Sequence, residues 1–337
     1  MGNSASRVSQ RGPFSFLLLG AAGFVVVMSL NVLARALRGP AAATASPALV
    51  LLRLGAGNGP PDLQLGTDKV LLTSPGDLSV ALSGLQPILP GHTLVVPRRR
   101  VERLSELSKE ETVDLFDTAR SAQQLLRGRF EATAFNWAVK DGEAAGQPIP
   151  HVHVHVIPRK PRDLTANDLV YDMIDRWSPL DGQENVPPQL DIPDDDLRKA
   201  RSEKDMAAEA SRYAQLAAKG AGQLPTEAVR FGKFNLNPSQ VFYVSSSGLS
   251  LAFVNLKPLV PGHVLVIPRR VLPTIADLTE EEMRDLWHSV RAVQSLVQES
   301  HGACCSNLGM QDGPDAGQSV PHVHVHILPR GQGKSSL

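Results

Sequence analysis

Cysteine and aromatic residues are scarce in this sequence. Its 337 residues include only two cysteines, adjacent at positions 304 and 305, and aromatic residues make up 5% of the chain. Adjacent cysteines seldom form an unstrained disulfide, and two thiolates do not complete a zinc site. This composition argues against a disulfide scaffold and against a cysteine-based zinc protein.

A net charge is also lacking, since 34 basic residues balance 34 acidic ones while 42% of the residues are hydrophobic. General nucleic-acid-binding proteins and disordered polyanions usually carry a strong charge of one sign. We therefore expect a globular protein with a small-molecule partner and no nucleic acid. The length allows two modest domains, at about 100 to 200 residues each.

Acidic residues are absent from positions 1–61, where several arginines occur, and the first acid is Asp62. Within this stretch, residues 12–34 carry no charge, and a helix of that length could cross a hydrocarbon layer of about 30 Å. The segment fits either a single membrane anchor or a mitochondrial or plastid presequence. A buried core helix fits less well because no amphipathic pattern marks the segment. We treat 1–61 as an N-terminal targeting or anchor region.

What the sequence does contain is an internal repeat. The motif PGHTLVVPRR at 90–99 recurs as PGHVLVIPRR at 261–270, and HVHVH at 151–155 recurs at 322–326. Both recurrences lie 171 residues apart, and an equal offset indicates a duplicated domain. The predicted organisation is as follows: copy one at 62–177, a linker with a tail-like segment at 178–226, and copy two at 227–337.

Each copy is predicted to form an antiparallel sheet with a packed helix, which is an α+β fold. Apolar segments beside the Pro-Gly turns predict hairpin strands at 78–82, 94–96, 251–254 and 264–267. Ser108 followed by Glu111 is a capping box, at which a helix begins. Thr279 and Glu282 repeat this signal in copy two. In the linker, alanines and alternating charges favour a further helix around 201–218.

Eight of the ten histidines lie within the repeated motifs: His92, His151, His153 and His155 in copy one, and His263, His322, His324 and His326 in copy two. Residues two apart in a strand point the same way, so each triplet is expected on one face of the sheet. The clusters could be solvated strand faces, zinc sites with imidazole ligands, or nucleophilic sites. We favour catalysis on phosphate, because neighbouring imidazoles could stabilise phosphoryl oxygens.

The two triplets resemble the signature of the histidine triad family, His-φ-His-φ-His-φ-φ with φ apolar. Copy two reads HVHVHIL at 322–328, and copy one reads HVHVHVI at 151–157. Further segments resemble the fragile histidine triad branch, the bis(5'-adenosyl)-triphosphatases: FGK at 231–233, NLKP at 255–258, MQDG at 310–313 and GQ at 317–318, then ND at 167–168, Tyr171 and MAAEA at 206–210 after copy one. The resemblance covers roughly residues 69–330.

This resemblance implies two tandem histidine triad domains that pair within one chain, because family members usually work as homodimers. It also implies a hydrolase in which the central His324 attacks the α-phosphorus of a dinucleoside polyphosphate, diadenosine triphosphate above all. Water would then cleave the nucleotidyl-histidine intermediate to a mononucleotide. His326 would bind the α-phosphate, and His322 and His263 would orient the cluster.

The resemblance also assigns roles to side chains around the triplet. Gln311 would contact the bridging or leaving-group oxygens, Asn255 would hold the ribose, and Gln318 would add a donor for the substrate. No metal ligand and no tightly bound cofactor are implied. Whether a divalent cation, Mg²⁺ or Mn²⁺, accompanies the substrate stays open.

Copy one keeps its four histidines, with His153 as its expected nucleophile and with substrate contacts from His155, His151 and His92. It departs from copy two at two matched positions, because Lys140 stands at the position of Gln311 and Gly84 at that of Asn255. Losing these groups should weaken substrate positioning, although Lys140 could still attract phosphate. We expect copy two to carry most of the activity.

Two other functions stay open. A nucleoside phosphoramidate hydrolase or nucleotidyl transferase of the same family would use the same histidines. A nucleotide-binding signalling module, in which the bound substrate is the message, would keep its output without His324, whereas an enzyme would not.

Overall fold

The computed structural model describes residues 50–52, 63–65, 67–83, 85–179, 198–217 and 221–331. The expected anchor or presequence at 12–34 lies outside the described residues, as do Gly84 and the middle of the linker. Within the described ranges, no helix combines the length and the apolar character needed to span a membrane.

Copy one is built from short strands and one long helix. The strands are β1 (Val50–Leu52), β2 (Leu63–Leu65), β3 (Val70–Thr73), β4 (Ser79–Ser83), β5 (Thr93–Pro97), β6 (Ala134–Asp141) and β7 (Val154–Arg159). Helix α1 (Lys109–Phe130) connects β5 to β6. After β7 come α2 (Leu169–Arg176) and α3 (Glu203–Leu216), and α3 is the helix predicted in the linker.

Copy two repeats this order of elements. Its strands are β8 (Val229–Phe231), β9 (Phe234–Leu236), β10 (Val241–Val244), β11 (Ser250–Val254), β12 (Val264–Pro268), β13 (Cys305–Asp312) and β14 (Val325–Arg330). Helix α4 (Glu280–His301) connects β12 to β13. The α+β fold, with a long helix in each copy, is the one predicted from the sequence.

The long helices begin at the predicted capping boxes. At the start of α1, the Ser108 hydroxyl accepts from the Glu111 N–H at 3.0 Å, and the Glu111 carboxylate accepts from the Ser108 N–H at 2.7 Å. Thr279 and Glu282 make the same two bonds at the start of α4. Each box satisfies backbone donors that the first helical turn leaves unpaired.

The Pro-Gly turns that precede β5 and β12 require their glycines. Gly91 and Gly262 have φ angles of 86° and 81°, in the left-handed region where other residues are strained. A Cβ on Gly262 would also lie 2.8 Å from the His301 ring. Glycine therefore lets the chain turn tightly and place the following residue, His92 or His263, at the edge of the next strand.

The two copies share one ten-stranded sheet, in the order β10-β11-β12-β14-β13-β6-β7-β5-β4-β3. They join where β6 pairs antiparallel with β13. The pair Ala138–Gly309 lies at the centre of this register, and these two positions are equivalent in the repeat. A register that is symmetric about equivalent residues creates a local twofold axis. The copies thus pair within one chain as a pseudo-dimer.

Aromatic side chains from both copies stack at this junction. The rings of Phe116 in α1 and Trp287 in α4 are parallel, with centroids 3.5 Å apart, and Trp137 of β6 stacks on Trp287 at 6.1 Å. All three are buried, and Trp137 Nε1 donates to Gln123 Oε1 at 2.6 Å. Trp137 and Trp287 are core residues, and they belong to one core that both copies build.

Buried polar side chains repeat symmetrically across the junction. Asp141 of copy one accepts from Gln294 Nε2 of copy two at 2.6 Å, and Asp312 accepts from Gln123 Nε2 of copy one at 2.6 Å. Buried carboxylates need such donors, since an unpaired one is costly. These bonds therefore specify the pairing of the copies as well as stabilising it.

The sheet separates a face covered by the long helices from a face that carries histidines. Val154 of β7 packs in the core with Phe116 of α1. Neighbouring residues of a strand point to opposite faces, so His155 and Ile157 lie on the other side, where Ile157 packs against Ile174 of α2. The histidine face of copy one is thus the face that α2 covers.

The histidine strands are shorter than predicted. β7 begins at Val154 and β14 at Val325, so only the last histidine of each triplet lies in a strand. The backbone N–H groups of Val152 and Val323 donate instead to carbonyls of the loops that follow β5 and β12. Because these donors are used outside the sheet, the expectation of a fully extended histidine strand was wrong.

Candidate active site

In copy two, hydrogen bonds determine which nitrogen of each imidazole carries the proton. The backbone N–H of Leu259 donates to Nδ1 of His263 at 3.1 Å, so the neutral His263 ring carries its proton on Nε2. This Nε2–H donates to Nδ1 of His326 at 2.9 Å. The proton of His326 therefore lies on Nε2, which makes that nitrogen a hydrogen-bond donor.

The orientation of His324 is set by a backbone carbonyl. Its Nδ1 lies 2.7 Å from the carbonyl oxygen of His322, which can only accept, so Nδ1 carries the proton and Nε2 keeps a lone pair. The rings of His324 and His326 lie 5.0 Å apart at 65°. A nucleophilic nitrogen and a donor thus belong to neighbouring rings, which is what attack on a phosphoryl group requires.

His322 anchors the cluster to the backbone. Its Nε2 donates to the carbonyl of Pro268 at 2.9 Å, and its Nδ1 accepts from the Gly232 N–H at 3.2 Å. Gly232 has a φ of 56°, and a Cβ there would lie 2.5 Å from a methyl carbon of Val320. The adjacent Phe231 ring stands perpendicular to His324 at 5.4 Å. The FGK turn therefore both fixes His322 and packs against the expected nucleophile.

Burial keeps these imidazoles neutral. His263, His322 and His324 are 2%, 0% and 3% exposed. Burial lowers the pKa of His263 to about 3, and the charges of nearby arginines act in the same direction. Burial also lowers the pKa of His322 to about 4, and it lowers the pKa of His324 below 6.5. At neutral pH the imidazole of His324 is therefore uncharged and keeps a lone pair on Nε2.

Asn255 stands beside the cluster, and the side-chain amide of Gln318 is paired with backbone groups. The Nδ2 of Asn255 lies 3.3 Å from both ring nitrogens of His263. The Oε1 of Gln318 accepts from the Gly313 N–H at 3.2 Å, and its Nε2 donates to the carbonyl of Pro273 at 2.9 Å. The amide of Gln318 thus holds the Asp-Gly turn, because this tight turn leaves a backbone N–H to be paired.

Gln311 lies in β13, at the junction of the two copies. Its Nε2 donates to the phenol oxygen of Tyr171 in α2. Tyr171 is also hydrogen-bonded to Asn136, which pairs with Gln311 across the β6–β13 register. Side chains of copy one therefore hold the side chain of Gln311.

Arg201 also reaches the copy-two site from the segment after copy one. Its Nε donates to the carbonyl of Asn255 at 3.0 Å, and it forms an ion pair with Glu209 of α3. Tyr213 of α3 donates to Glu209 at 2.6 Å. In the sequence, the resemblance of residues 206–210 to the family's C-terminal tail indicated that such a tail follows copy one. It did not reveal that the tail of copy one supports the site of copy two.

Copy one repeats the bond pattern of the cluster. The Ile88 N–H donates to His92 Nδ1 at 3.2 Å, and His92 Nε2 donates to His155 Nδ1 at 2.9 Å. His153 Nδ1 donates to the carbonyl of His151 at 2.8 Å. Burial lowers the pKa of His92 to about 3 and that of His153 to about 4. The imidazole arrangement is therefore present in both copies.

Lys140 of copy one binds the end of α2. Its Nζ, on a side chain 2% exposed, donates to the carbonyls of Ile174 at 2.6 Å and Asp175 at 3.1 Å. These are the last carbonyls of α2, where a cation is favourable. Burial lowers the pKa of Lys140 to about 8. The ammonium group of Lys140 is thus bound to the end of α2, and its attraction for phosphate stays a prediction.

Trp177 follows α2 directly and covers the histidines of copy one. The indole and imidazole centroids lie 4.8 Å apart for His155, 5.7 Å for His153 and 5.9 Å for His92. The indole Nε1 donates to the carbonyl of Gln86 at 2.9 Å. His155 is fully buried, whereas the equivalent His326 is half-buried. The copies thus differ in what covers the histidines rather than in the histidines themselves.

Zinc binding was an alternative interpretation of the histidine clusters. In the ranges that the structure describes, no group of three or more His, Cys, Asp or Glu side chains is arranged to hold a metal ion. In copy two, Nδ1 of His324 and Nε2 of His322 both face backbone carbonyls.

Several curated proteins are similar to this chain over about 100 residues. The bis(5'-nucleosyl)-tetraphosphatase [asymmetrical] of Schizosaccharomyces pombe is 59% identical over 100 residues, 30% of this chain and 53% of that protein. The bifunctional bis(5'-adenosyl)-triphosphatase/adenylylsulfatase FHIT of Arabidopsis thaliana is 52% identical over 103 residues, 31% of this chain and 56% of that protein. The bis(5'-adenosyl)-triphosphatase of Dictyostelium discoideum is 47% identical over 100 residues, 30% of this chain and 66% of that protein.

The chain spans about half the length of the first two of these relatives. A family model described as the HIT domain matches residues 67–162 and again residues 235–333. The two matches coincide with the two copies of the repeat, and together they cover more than half of the chain. The chain therefore belongs to the histidine triad (HIT) domain family and carries two copies of its domain.

Proposed function

We propose that the chain hydrolyses dinucleoside polyphosphates, diadenosine triphosphate above all, through a nucleotidyl-histidine intermediate in copy two. One observation carries the proposal: His324 keeps a lone pair on Nε2 while the neighbouring His326 presents an N–H. The names of the relatives, which are triphosphatases and a tetraphosphatase of dinucleosides, support this substrate class.

The geometry supports two displacement steps at the α-phosphorus. In the first, Nε2 of His324 attacks, the bond to the bridging oxygen breaks, and ADP leaves. The His326 N–H donates to a non-bridging oxygen, and the His322 carbonyl, which accepts from Nδ1 of His324, stabilises the positive charge that the ring acquires. In the second step water attacks the same phosphorus, the P–N bond breaks, and AMP leaves. Asn255 and Gln311 are the side chains that we propose for positioning the substrate.

Product analysis in ¹⁸O-enriched water tests the proposal. The purified full chain is offered diadenosine triphosphate and an adenosine phosphoramidate together. We expect AMP and ADP from the triphosphate, with ¹⁸O in AMP alone, because water attacks the phosphorus that His324 holds. Faster consumption of the phosphoramidate would favour a phosphoramidate hydrolase of the same family. Tight binding without turnover would favour a signalling module.

The acid limb of kcat/KM is expected below pH 6.5, the ordinary pKa of imidazole. Burial lowers the pKa of His324 in the free protein, and kcat/KM reports the free enzyme. Activity should therefore persist as the pH falls through 6.5 and be lost only when His324 becomes protonated. Initial rates at constant ionic strength measure this profile. A midpoint at or above pH 6.5 would contradict the neutral-nucleophile assignment.

Tyr171→Phe is expected to lower kcat by about tenfold while changing KM little. The phenol oxygen accepts from Gln311 Nε2, and a displaced positioning group can cost up to about 10²-fold in rate. In a Gln311→Ala background the same change should have almost no further effect, because the two residues act as one unit.

Tyr243→Phe is the matched control for this prediction. It also removes a phenol hydroxyl, but from β10, the edge strand of the sheet in copy two, where Tyr243 packs against the core. If Tyr243→Phe lowered kcat as much as Tyr171→Phe does, the effect would be structural and the role of Tyr171 would be rejected.

A further inference from the structure

The copy-one cluster contains buried nitrogen atoms that have no hydrogen-bond partner. Nε2 of His153 and Nε2 of His155 are both of this kind, and both residues are 0% exposed. By the tautomers derived above, the first carries a lone pair and the second a proton. These are the same two groups that, in copy two, we propose to meet the phosphate.

Burying such groups without hydrogen-bond partners costs free energy. The group that covers them is the Trp177 indole. The Trp177 indole stands perpendicular to the His155 ring at 4.8 Å and at 46° to the His153 ring. An aromatic face is a weak acceptor for an N–H. The indole also packs in an apolar cluster with Leu82 and Leu94. Trp177 is therefore a packed, buried residue that lies over the histidines of copy one.

The segment that carries Trp177 is fastened by Lys140. The ammonium group of Lys140 binds the carbonyls of Ile174 and Asp175, which lie three and two residues before Trp177. At the matched position copy two has Gln311, whose amide binds Tyr171 of the same helix. Lys140, one of the two residues named above that differ between the copies, thus holds the segment with Trp177 in place.

We propose that the histidine cluster of copy one is closed to ligands by a side chain of the same protein, Trp177. The Trp177 indole covers His153 and His155, whereas His326, the equivalent of His155, is half-buried, so each chain has one working site for nucleoside phosphates. Copy one then supports the site of copy two. Helix α2, which Trp177 and Lys140 hold in place, also carries Tyr171, and Tyr171 binds Gln311. This inference rests on the proposed function only for the identity of the ligand.

Carbethoxylation with diethylpyrocarbonate tests the closure without using a nucleotide. The reagent modifies accessible neutral imidazoles, and mass spectrometry of peptides reports each site. In the full wild-type chain we expect His155 to react about tenfold or more slowly than His326, because reaction requires local opening. In Trp177→Ala the rate at His155 should approach that at His326. Trp177→Phe, which keeps an aromatic cover, should leave His155 protected.

His288, in the helical layer, provides the internal standard, and circular dichroism checks the fold of each variant. Equal rates at His155 and His326 in the wild-type chain would overturn the proposal, and this comparison needs no variant. Continued protection of His155 in folded Trp177→Ala would also overturn it, because the cover would then be another group.

Calorimetric titration with a non-hydrolysable diadenosine triphosphate analogue provides a second readout. We expect one molecule bound per wild-type chain, and two would overturn the closure. Failure of the analogue to bind at all would reject the proposed function, while the carbethoxylation rates would still decide whether copy one is closed.

Discussion

Replacement of His324 by alanine is expected to lower the hydrolysis of diadenosine triphosphate by about 10⁴-fold or more. The proposed nucleophile is its Nε2, which the hydrogen bond from Nδ1 to the His322 carbonyl leaves unprotonated. Without it no covalent intermediate can form. Steady-state rates measure the loss, and acid-labile labelling of the protein by radioactive substrate should vanish with it. The fold should survive, because the substitution removes only one hydrogen bond to that carbonyl.

His153→Ala is the matched control, since it makes the same change at the equivalent position of copy one. His153 is fully buried and lies 5.7 Å from the Trp177 indole, so turnover should remain close to that of the wild-type chain. Equal losses from the two substitutions would show that both copies work. Near-normal turnover by His324→Ala would show that another group is the nucleophile.

Trp287→Ala is expected to lower the free energy of unfolding by about 3–5 kcal/mol, as for other large aromatic residues removed from a core. The Trp287 ring stacks on Phe116 of the other copy at 3.5 Å and on Trp137 at 6.1 Å. Its removal therefore leaves a cavity at the junction of the copies rather than inside one of them. Denaturant titration followed by circular dichroism measures the change.

The control for this substitution is Leu125→Ala in α1, whose side chain is 45% exposed. A surface change of this kind should alter stability by no more than about 0.5 kcal/mol. A loss below about 1 kcal/mol in Trp287→Ala would mean that the stack contributes little and that the sheet alone joins the copies.

The duplication and the helix starts could be predicted because their signals are local. Ser108 with Glu111, and Thr279 with Glu282, satisfy the backbone donors of their own helices. The Pro-Gly turns likewise depend on the conformation of single residues such as Gly262. The extent of the histidine strands was not predictable in this way, because it depends on hydrogen bonds to distant loops.

The chemistry of the cluster was partly predictable. The residue types and their spacing pointed to phosphate catalysis, and the resemblance named His324 as the attacking residue. Its protonation state came from the structure, since it depends on the carbonyl that Nδ1 contacts. The role of Gln318 also came from the structure, which pairs its amide with backbone groups.

By itself, the sequence determined that the chain is a duplicated α+β protein with two histidine clusters, because repeats, caps and turns act over a few residues. Only the tertiary structure decided how the two clusters differ. The place of Lys140 in the repeat suggested a phosphate contact, and the tertiary structure adds that its ammonium group binds the end of α2. Trp177, 91 residues from the carbonyl of Gln86 that its indole binds, carried no local signal. Closure of copy one depends on packing between segments far apart in the chain, and such contacts leave no periodic or spaced pattern in a single sequence.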